Sequence, residues 1–558
     1  MGIGREILVQ SNRQQTMMKV QNNANLRTLV SVLVLLTSLP ATLQAVPQPK
    51  AGEAGSVPKL IVGITIDQLR SDYLTALRDK LGENGFKRLL NGGRVYSQVT
   101  FDLDNPDATA TLAVLATGAY PCFNGIPARQ VWDSRLERPQ SVFWDRDFSG
   151  KYTAETLSPK ALSSTVLADE LKVASGGASR VFSIAPDAET AILNGGHTSN
   201  CAVWIDNRTG KWASTGYYRE FPSFVAEQNV YSQSLFADLT QTVWEPLEGT
   251  AGQPNRLLPY RYKTSRFAHS FYQDNRISYP AFKTSPMVND AIVGLTRRFF
   301  RDGFLGKNDS FTDMLQLSFY AGTYLNERPE LYADELQDIY LRLDKTIANL
   351  LALIDQEVGL DNTFIYIVSN GQTLARTTDA EGTLRGEFNT VRCQALLNAH
   401  LVSRYGQEQW VGTVRNGQIY LNRDAIRSHR LSRSEVETEA AGFLTLMDGI
   451  DDVVTASRLL SGDSSDRLAR LRNGYHKATG GDLVFSLQPG WVMQEDDSSA
   501  SHSQTRHDIT PGLALLFAPG ITASTVTVPV DAACIAPTIA ACIRIRAPSA
   551  CRVPALTM

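Results

Sequence analysis

Asp67 is the first residue in this sequence placed to do chemistry. It ends the run Leu60-Ile61-Val62-Gly63-Ile64-Thr65-Ile66, whose apolar and β-branched residues predict a strand buried on both faces of a parallel sheet. Open α/β folds gather their chemistry outside the carboxyl ends of such strands, so Asp67 is a carboxylate delivered to a crevice. The local alternative is that Asp67 caps a helix running from Gln68 to Lys80. Thr109 and Thr111 offer hydroxyls, or sit as ordinary residues on a helix surface. His502 and His507 lie in a polar loop, where imidazoles are commonly just solvated. The six cysteines (Cys122, Cys201, Cys393, Cys534, Cys542, Cys551) are too widely spaced for a metal motif.

The elements that must position these groups alternate between strand and helix. A second strand, Arg94 to Phe101, leads through an acidic loop to a helix ending at Gly118, with Asn105 as its N-cap and Pro106 at its first position. Further core strands are predicted at Arg180 to Ala185, Met314 to Phe319, Thr363 to Ser369 and Leu513 to Phe517. Helices are predicted at Ser158 to Val173, Pro286 to Arg301, Tyr332 to Val358 and Pro537 to Ile543. The aromatic-rich stretch 196–284 and the α+β stretch 388–491 read as insertions covering the crevice, leaving 58–195, 285–387 and 492–558 as the core.

Composition narrows the class. An apolar content of 43% and a charged content of 20% are those of an ordinary globular chain. A net charge of -3, with no basic stripe interleaved with aromatics, gives no case for nucleic acid or an anionic membrane. At the N-terminus, Lys19 and Arg27 precede the apolar run Leu29 to Leu36 and the small-residue end Gln44-Ala45. That is the order of a secretory signal peptide, 1–45, followed by a linker, 46–57. The apolar core is too short for a comfortable membrane span, so the expected product is an exported protein of the periplasm or cell envelope, with no membrane span after signal removal.

The order V-G-I-T-I-D-Q-L-R-S-D-Y-L, G-F-K-R-L-L-N-G-G and A-T-G-A-Y-P-C-F-N-G-I resembles the alkaline phosphatase superfamily. It is most similar to the bacterial periplasmic phosphatases related to type I phosphodiesterases and nucleotide pyrophosphatases. The likeness continues through S-P-K-A-L-S-S-T-V-L-A-D-E-L-K, A-V-W-I-D-N-R-T-G-K-W and F-N-T-V-R-C-Q-A-L-L-N to I-A-P-T-I-A near the end of the chain. The resemblance implies an α/β fold with a central, mostly parallel sheet flanked by helices and inserted cap subdomains. It also implies a two-zinc phosphoryl-transfer site with a Thr or Ser nucleophile.

Carried over position by position, that site is largely substituted. Asp67 keeps a zinc-ligand aspartate. The nucleophile position falls on Ala108, with Thr109 one residue on, and such a slip on a helix turns a side chain by roughly 100°. Thr323 and Glu327 stand where the resemblance places an Asp and a His, and Asn370 and Gly371 where it places an Asp-His pair. The last histidine aligns with Ser503, beside His502. The phosphate-gripping Lys and Arg fall on Asp187 and Glu189, and an Asn on Arg129, which could partly compensate. Asp102, Asp104, Asp107, Asp187 and Glu189 could bind a hard cation such as Ca²⁺, or be solvated loop residues.

The expectation is an exported pseudophosphatase with no cofactor, whose crevice binds an unknown ligand or protein partner. The alternative is a divergent phosphatase or phosphodiesterase using Thr109 as nucleophile, with Asp67, Glu327, Asn370 and His502 around zinc.

Overall fold

A computed structural model describes residues 57–104, 106–250, 253–258, 267–327, 329–371, 386–461, 465–495, 502–503 and 510–558. The expected signal segment therefore lies outside the described residues, as does all of the linker but Val57. Among the described residues no helix is long and apolar enough to cross a membrane.

The core is an eleven-stranded sheet. In chain order its strands are β1 (Leu60–Asp67), β2 (Arg94–Thr100), β3 (Gly150–Lys151), β4 (Val181–Ala185), β5 (Cys201–Ile205) and β6 (Trp212–Thr215), followed by β7 (Asp313–Tyr320), β8 (Thr363–Ser369), β9 (Gly512–Phe517), β10 (Ser524–Val526) and β11 (Val530–Asp531). They lie in the order β10-β2-β9-β8-β1-β7-β4-β5-β6-β3, with β11 also paired to β2. The centre is parallel: β1 runs between β7 and β8, and β4 and β5 follow in the same direction. Only β9, β6 and β3 introduce antiparallel pairs.

The apolar run at Leu60 to Ile66 explains the central place of β1. Five of its side chains are fully or almost fully buried, as a strand covered on both faces requires. Asp67 pairs with Tyr320, and Ile66 with Ser369, so three strand ends deliver their next residues to one place.

Helices cover both faces: α1 (Ser71–Ala76), α2 (Phe86–Gly92), α3 (Ala108–Thr117), α4 (Leu167–Ala174), α5 (Ala188–Gly195), α6 (Met287–Arg301), α7 (Ala333–Glu357) and α8 (Ile535–Cys542). Three local expectations change. The helix after β1 is short and begins at Ser71, so Asp67 caps nothing. Asp107, rather than Asn105, is the N-cap of α3, because its carboxylate reaches the Thr109 and Ala110 amides at 2.8 and 3.3 Å; Asn105 lies outside the described residues. The helix predicted over Ser158 to Val173 is a 3₁₀ turn, Pro159–Ala161, and then α4.

The insertions also differ from expectation. β5 and β6 fall within 196–284 yet extend the central sheet, since their side chains are buried throughout. The second insertion has its own core. Helices Thr390–Tyr405 and Arg433–Leu444 pack on a four-stranded sheet around buried Trp410, Ile419, Leu444 and Phe485. A three-stranded sheet joins Gly386–Asn389, Trp491–Gln494 and His502–Ser503, so the segment expected to rejoin the core at 492 stays with the cap. The cap docks on the hairpin of Gln130–Asp133 and Arg138–Ser141: Asn416 donates to the Gln130 carbonyl at 3.0 Å, and Tyr420 packs on Trp132.

Candidate functional site

The ends of β1, β7 and β8 meet around one carboxylate and a set of neutral amides. Asn370 follows β8 and is 5% exposed. Its Oδ1 accepts the backbone N–H of Gln68 at 2.9 Å, and its Nδ2 donates to Asp67 Oδ1 at 2.8 Å. Because a backbone N–H can only donate, the first bond fixes the amide: the oxygen faces Gln68 and the NH₂ faces Asp67. Gln68 completes the belt, its Nε2 lying 3.4 Å from Asp67 Oδ2 and 3.3 Å from Asn326 Oδ1. Asn326 also accepts the Tyr320 hydroxyl at 3.0 Å.

This belt is held by unusual backbone. Gln68, Leu325 and Asn326 all have positive φ, at 61°, 58° and 55°. Such conformations persist in side-chain-bearing residues only where surrounding bonds impose them, at about 1–3 kcal/mol each. Burial pushes the Asp67 carboxyl above its ordinary range, and the nearby Asp187 charge adds to this; the Asn370 and Gln68 bonds and Arg129 oppose it.

Among the described residues the substituted ligand positions do not assemble a metal centre. Thr323 is 2% exposed and contributes its carbonyl, which accepts the Tyr320 hydroxyl at 2.6 Å. Glu327 is half-buried at the end of the same turn. Gly371 has φ 69°, and an added Cβ would collide with the Thr510 carbonyl oxygen, so the backbone has closed over the position where the resemblance places a histidine. The backbone of His502 pairs with Gln494 in the cap sheet. Among the described residues no three His, Cys, Asp or Glu side chains come together in a way that could hold a metal ion. Asn370, expected as a vestigial ligand, has its oxygen on the Gln68 N–H and its NH₂ on Asp67. Among the described residues the donor set does not fit a zinc pair; the side chain of His502 and all of His507 lie outside them.

The nucleophile position is equally altered. Ala108 opens α3, and Asp107 Oδ1 accepts from the Thr109, Ala110 and Arg129 amides at 2.8, 3.3 and 3.0 Å. Burial raises the Asp107 carboxyl despite these bonds. Thr109, one residue beyond Ala108, is 7% exposed.

Charge around the crevice is rebalanced. Asp187 meets Lys283 at 3.1 Å, and Lys283 also donates to the Ile205 carbonyl at 2.6 Å. Glu189 accepts from Arg129 Nε at 3.2 Å. Burial acts to raise Asp187, but Lys283 and Arg129 outweigh it and hold the carboxyl below its ordinary range. Arg129, expected to grip substrate, is thus engaged by a carboxylate of its own chain. The Ca²⁺ reading fails for a related reason. Asp102 receives Asn473 Nδ2 at 3.3 Å, Asp104 lies 3.7 Å from Arg470, and the other three carboxylates have the partners already described.

Sequence reasoning missed Gln68, Asn326 and Lys283. Gln68 was hidden in a helix that starts three residues later. Lys283 comes from a segment with no spacing relation to Asp187. Only the amide-rich composition of Gln68, Asn326 and Asn370 next to the three strand ends could have signalled the belt.

Three comparisons place the chain. The family model for type I phosphodiesterase / nucleotide pyrophosphatase matches residues 61–510. Among curated proteins, the chain is 28% identical over 521 residues to a "Calcium-transporting ATPase" of Myroides odoratus, covering 89% of this chain and 94% of the relative. It is 29% identical over 453 residues to alkaline phosphatase PhoV of Synechococcus elongatus, covering 78% and 80%. Against alkaline phosphatase PafA of Elizabethkingia meningoseptica it is 25% identical over 511 residues, covering 88% and 92%. The crystal structure of wild-type PafA superposes with a TM-score of 0.79 at 24% identity, over 90% of this chain and 99% of that one, which shows a shared fold. With the matched span running from β1 to the segment before β9, this chain belongs to the type I phosphodiesterase / nucleotide pyrophosphatase family, within the alkaline phosphatase superfamily.

Proposed function

We propose that this protein is an exported, catalytically inactive member of its family, a pseudophosphatase whose crevice serves binding rather than phosphate-ester hydrolysis. The observation that carries this reading is the orientation of Asn370: its oxygen is bound to the Gln68 N–H and its NH₂ points at Asp67. An amide proton donor stands where a metal would need a lone pair. Ala108 at the nucleophile position, the closed backbone at Gly371, and the carboxylates of Asp187 and Glu189 all support it. Export rests on the signal-like N-terminal sequence alone.

A second reading, a divergent metal-dependent phosphatase or phosphodiesterase, has one observation in its favour. Thr109 is 7% exposed and stands in the first turn of α3, one residue beyond the nucleophile position. One experiment separates the two. The mature protein is exposed to zinc, dialysed, and assayed for metal content and for p-nitrophenyl phosphate hydrolysis. The pseudophosphatase reading expects no stoichiometric zinc and no turnover. Two zinc atoms per chain, with turnover abolished by Asp67→Ala and by Thr109→Ala, would establish the hydrolase instead.

A further inference from the structure

A cavity of about 330 Å³ lies at the edge of the sheet, between α1, α2 and the β10 strand, and none of its lining residues belongs to the crevice around Asp67. Its volume is at the small end of the roughly 300–1,000 Å³ range of small-molecule sites. We propose that this cavity is a binding site for a small organic carboxylate, with the acid group at Arg78 and the hydrocarbon body on the apolar floor.

The floor and the rim differ in chemistry. Leu74, Val95 and Leu513 are buried and Leu90 is half-buried; together they form an apolar surface of the kind that holds a ring or a short alkyl chain. Among the described residues the only ionised side chain lining the cavity is Arg78, which is exposed at its mouth. Its guanidinium gives one N–H to Asn91 Oδ1 at 2.6 Å, which steers the fork and leaves its other donors available. Among the described residues no carboxylate lines the cavity to neutralise it, so the site attracts a single negative charge. A planar fork meets a planar carboxylate with two parallel hydrogen bonds. Ser97, Ser524 and Thr525 add polar residues to the lining.

The test is calorimetric titration of the full mature chain with benzoate and with hexanoate, followed by inorganic phosphate as competitor. Saturable one-to-one binding of at least one acid is expected. Arg78→Gln should weaken it by roughly tenfold or more, through loss of the bidentate pair. Asn91→Asp, which sets a carboxylate beside the fork, should weaken it similarly. Both positions are exposed, and unchanged circular dichroism and thermal midpoints confirm that the variants fold. Phosphate, lacking an apolar body, should not displace the acid. The proposal is overturned by the absence of saturable binding up to about 10 mM acid, by binding that Arg78→Gln leaves intact, or by displacement with phosphate. Zinc content and ester hydrolysis are unaffected by either result, so this site stands or falls separately from the reading of the crevice.

Discussion

Asn370 Nδ2 donates to Asp67 Oδ1 at 2.8 Å, and the Gln68 N–H fixes the amide in that orientation. One carboxylate is thereby held inside a ring of neutral amides. In a metal site the same carboxylate would be kept ionised by the cation. Here burial acts the other way and favours its protonated form.

Asp67 therefore makes the stability of this fold sensitive to pH in a defined direction. Its folded-state pKa is raised, so the folded chain binds the proton more tightly than the unfolded one. The stability this contributes is complete below the ordinary carboxylate value and is lost as pH rises through the folded-state value. Asp67→Asn removes that loss while keeping an oxygen for Asn370. Urea midpoints of the variant and the native chain should converge near about pH 3, with the variant the more stable at neutral pH. A metal-holding carboxylate would show the reverse, with Asp67→Asn lowering stability at neutral pH in the presence of zinc.

Gly371 tests whether the second ligand strand has been rebuilt. Its positive φ and the contact an added Cβ would make with the Thr510 carbonyl leave no room for a side chain. Gly371→Ala should lower unfolding free energy by about 1–3 kcal/mol, and Gly371→His by at least as much. Thermal denaturation of both is the measurement. A histidine accepted here without loss would mean that the backbone readily returns to a ligand-bearing conformation.

Lys283 is buried and pairs with Asp187 at 3.1 Å. Asp187→Ala strands the ammonium with only the Ile205 carbonyl, and should destabilise by about 2–3 kcal/mol, the low end for a broken buried pair because Asp187 is partly exposed. Asp187→Ala combined with Lys283→Met should recover most of that loss, since an apolar pair replaces a buried ionic one at little cost. Equal destabilisation in the single and double variants would show that the pair is not coupled.

How much of this was legible beforehand follows from the range of the interactions. β1 was readable because Leu60 to Ile66 is continuous and apolar, and β8 because Thr363 to Ser369 is too; the strand bounds at Thr363–Ser369 agree residue for residue. Asp67 at a crevice followed from strand polarity alone. The amide belt did not, because Gln68, Asn326 and Asn370 meet only after three distant strand ends are brought into register. The placement of β5 and β6 in the central sheet was missed for a similar reason. Cys201–Ile205 is a short apolar run amid aromatics, and only its pairing with β4 shows which sheet it joins. Caps are a finer case: Asp107 caps α3 because its carboxylate reaches the Thr109 and Ala110 amides.

The sharpest single substitution is Asn370→Asp, which restores a family carboxylate in an otherwise altered site. The new carboxylate still accepts the Gln68 N–H, but its second oxygen faces Asp67 Oδ1 in place of an NH₂ that now sits 2.8 Å away. Two carboxylates at that separation cannot both ionise, so the pair shares one proton and its pKa is raised. The folded variant binds more protons than the unfolded chain, and the linkage again runs toward lower stability as pH rises. The variant should lose roughly 1–3 kcal/mol at neutral pH relative to the native chain, with the gap narrowing in acid. Zinc should not close that gap, because Thr323 and Gly371 supply no further ligand. A zinc-dependent rise of several degrees in the thermal midpoint of Asn370→Asp would show that one substitution is enough to recover a metal site, and the pseudophosphatase reading would then apply only to the native residue at 370.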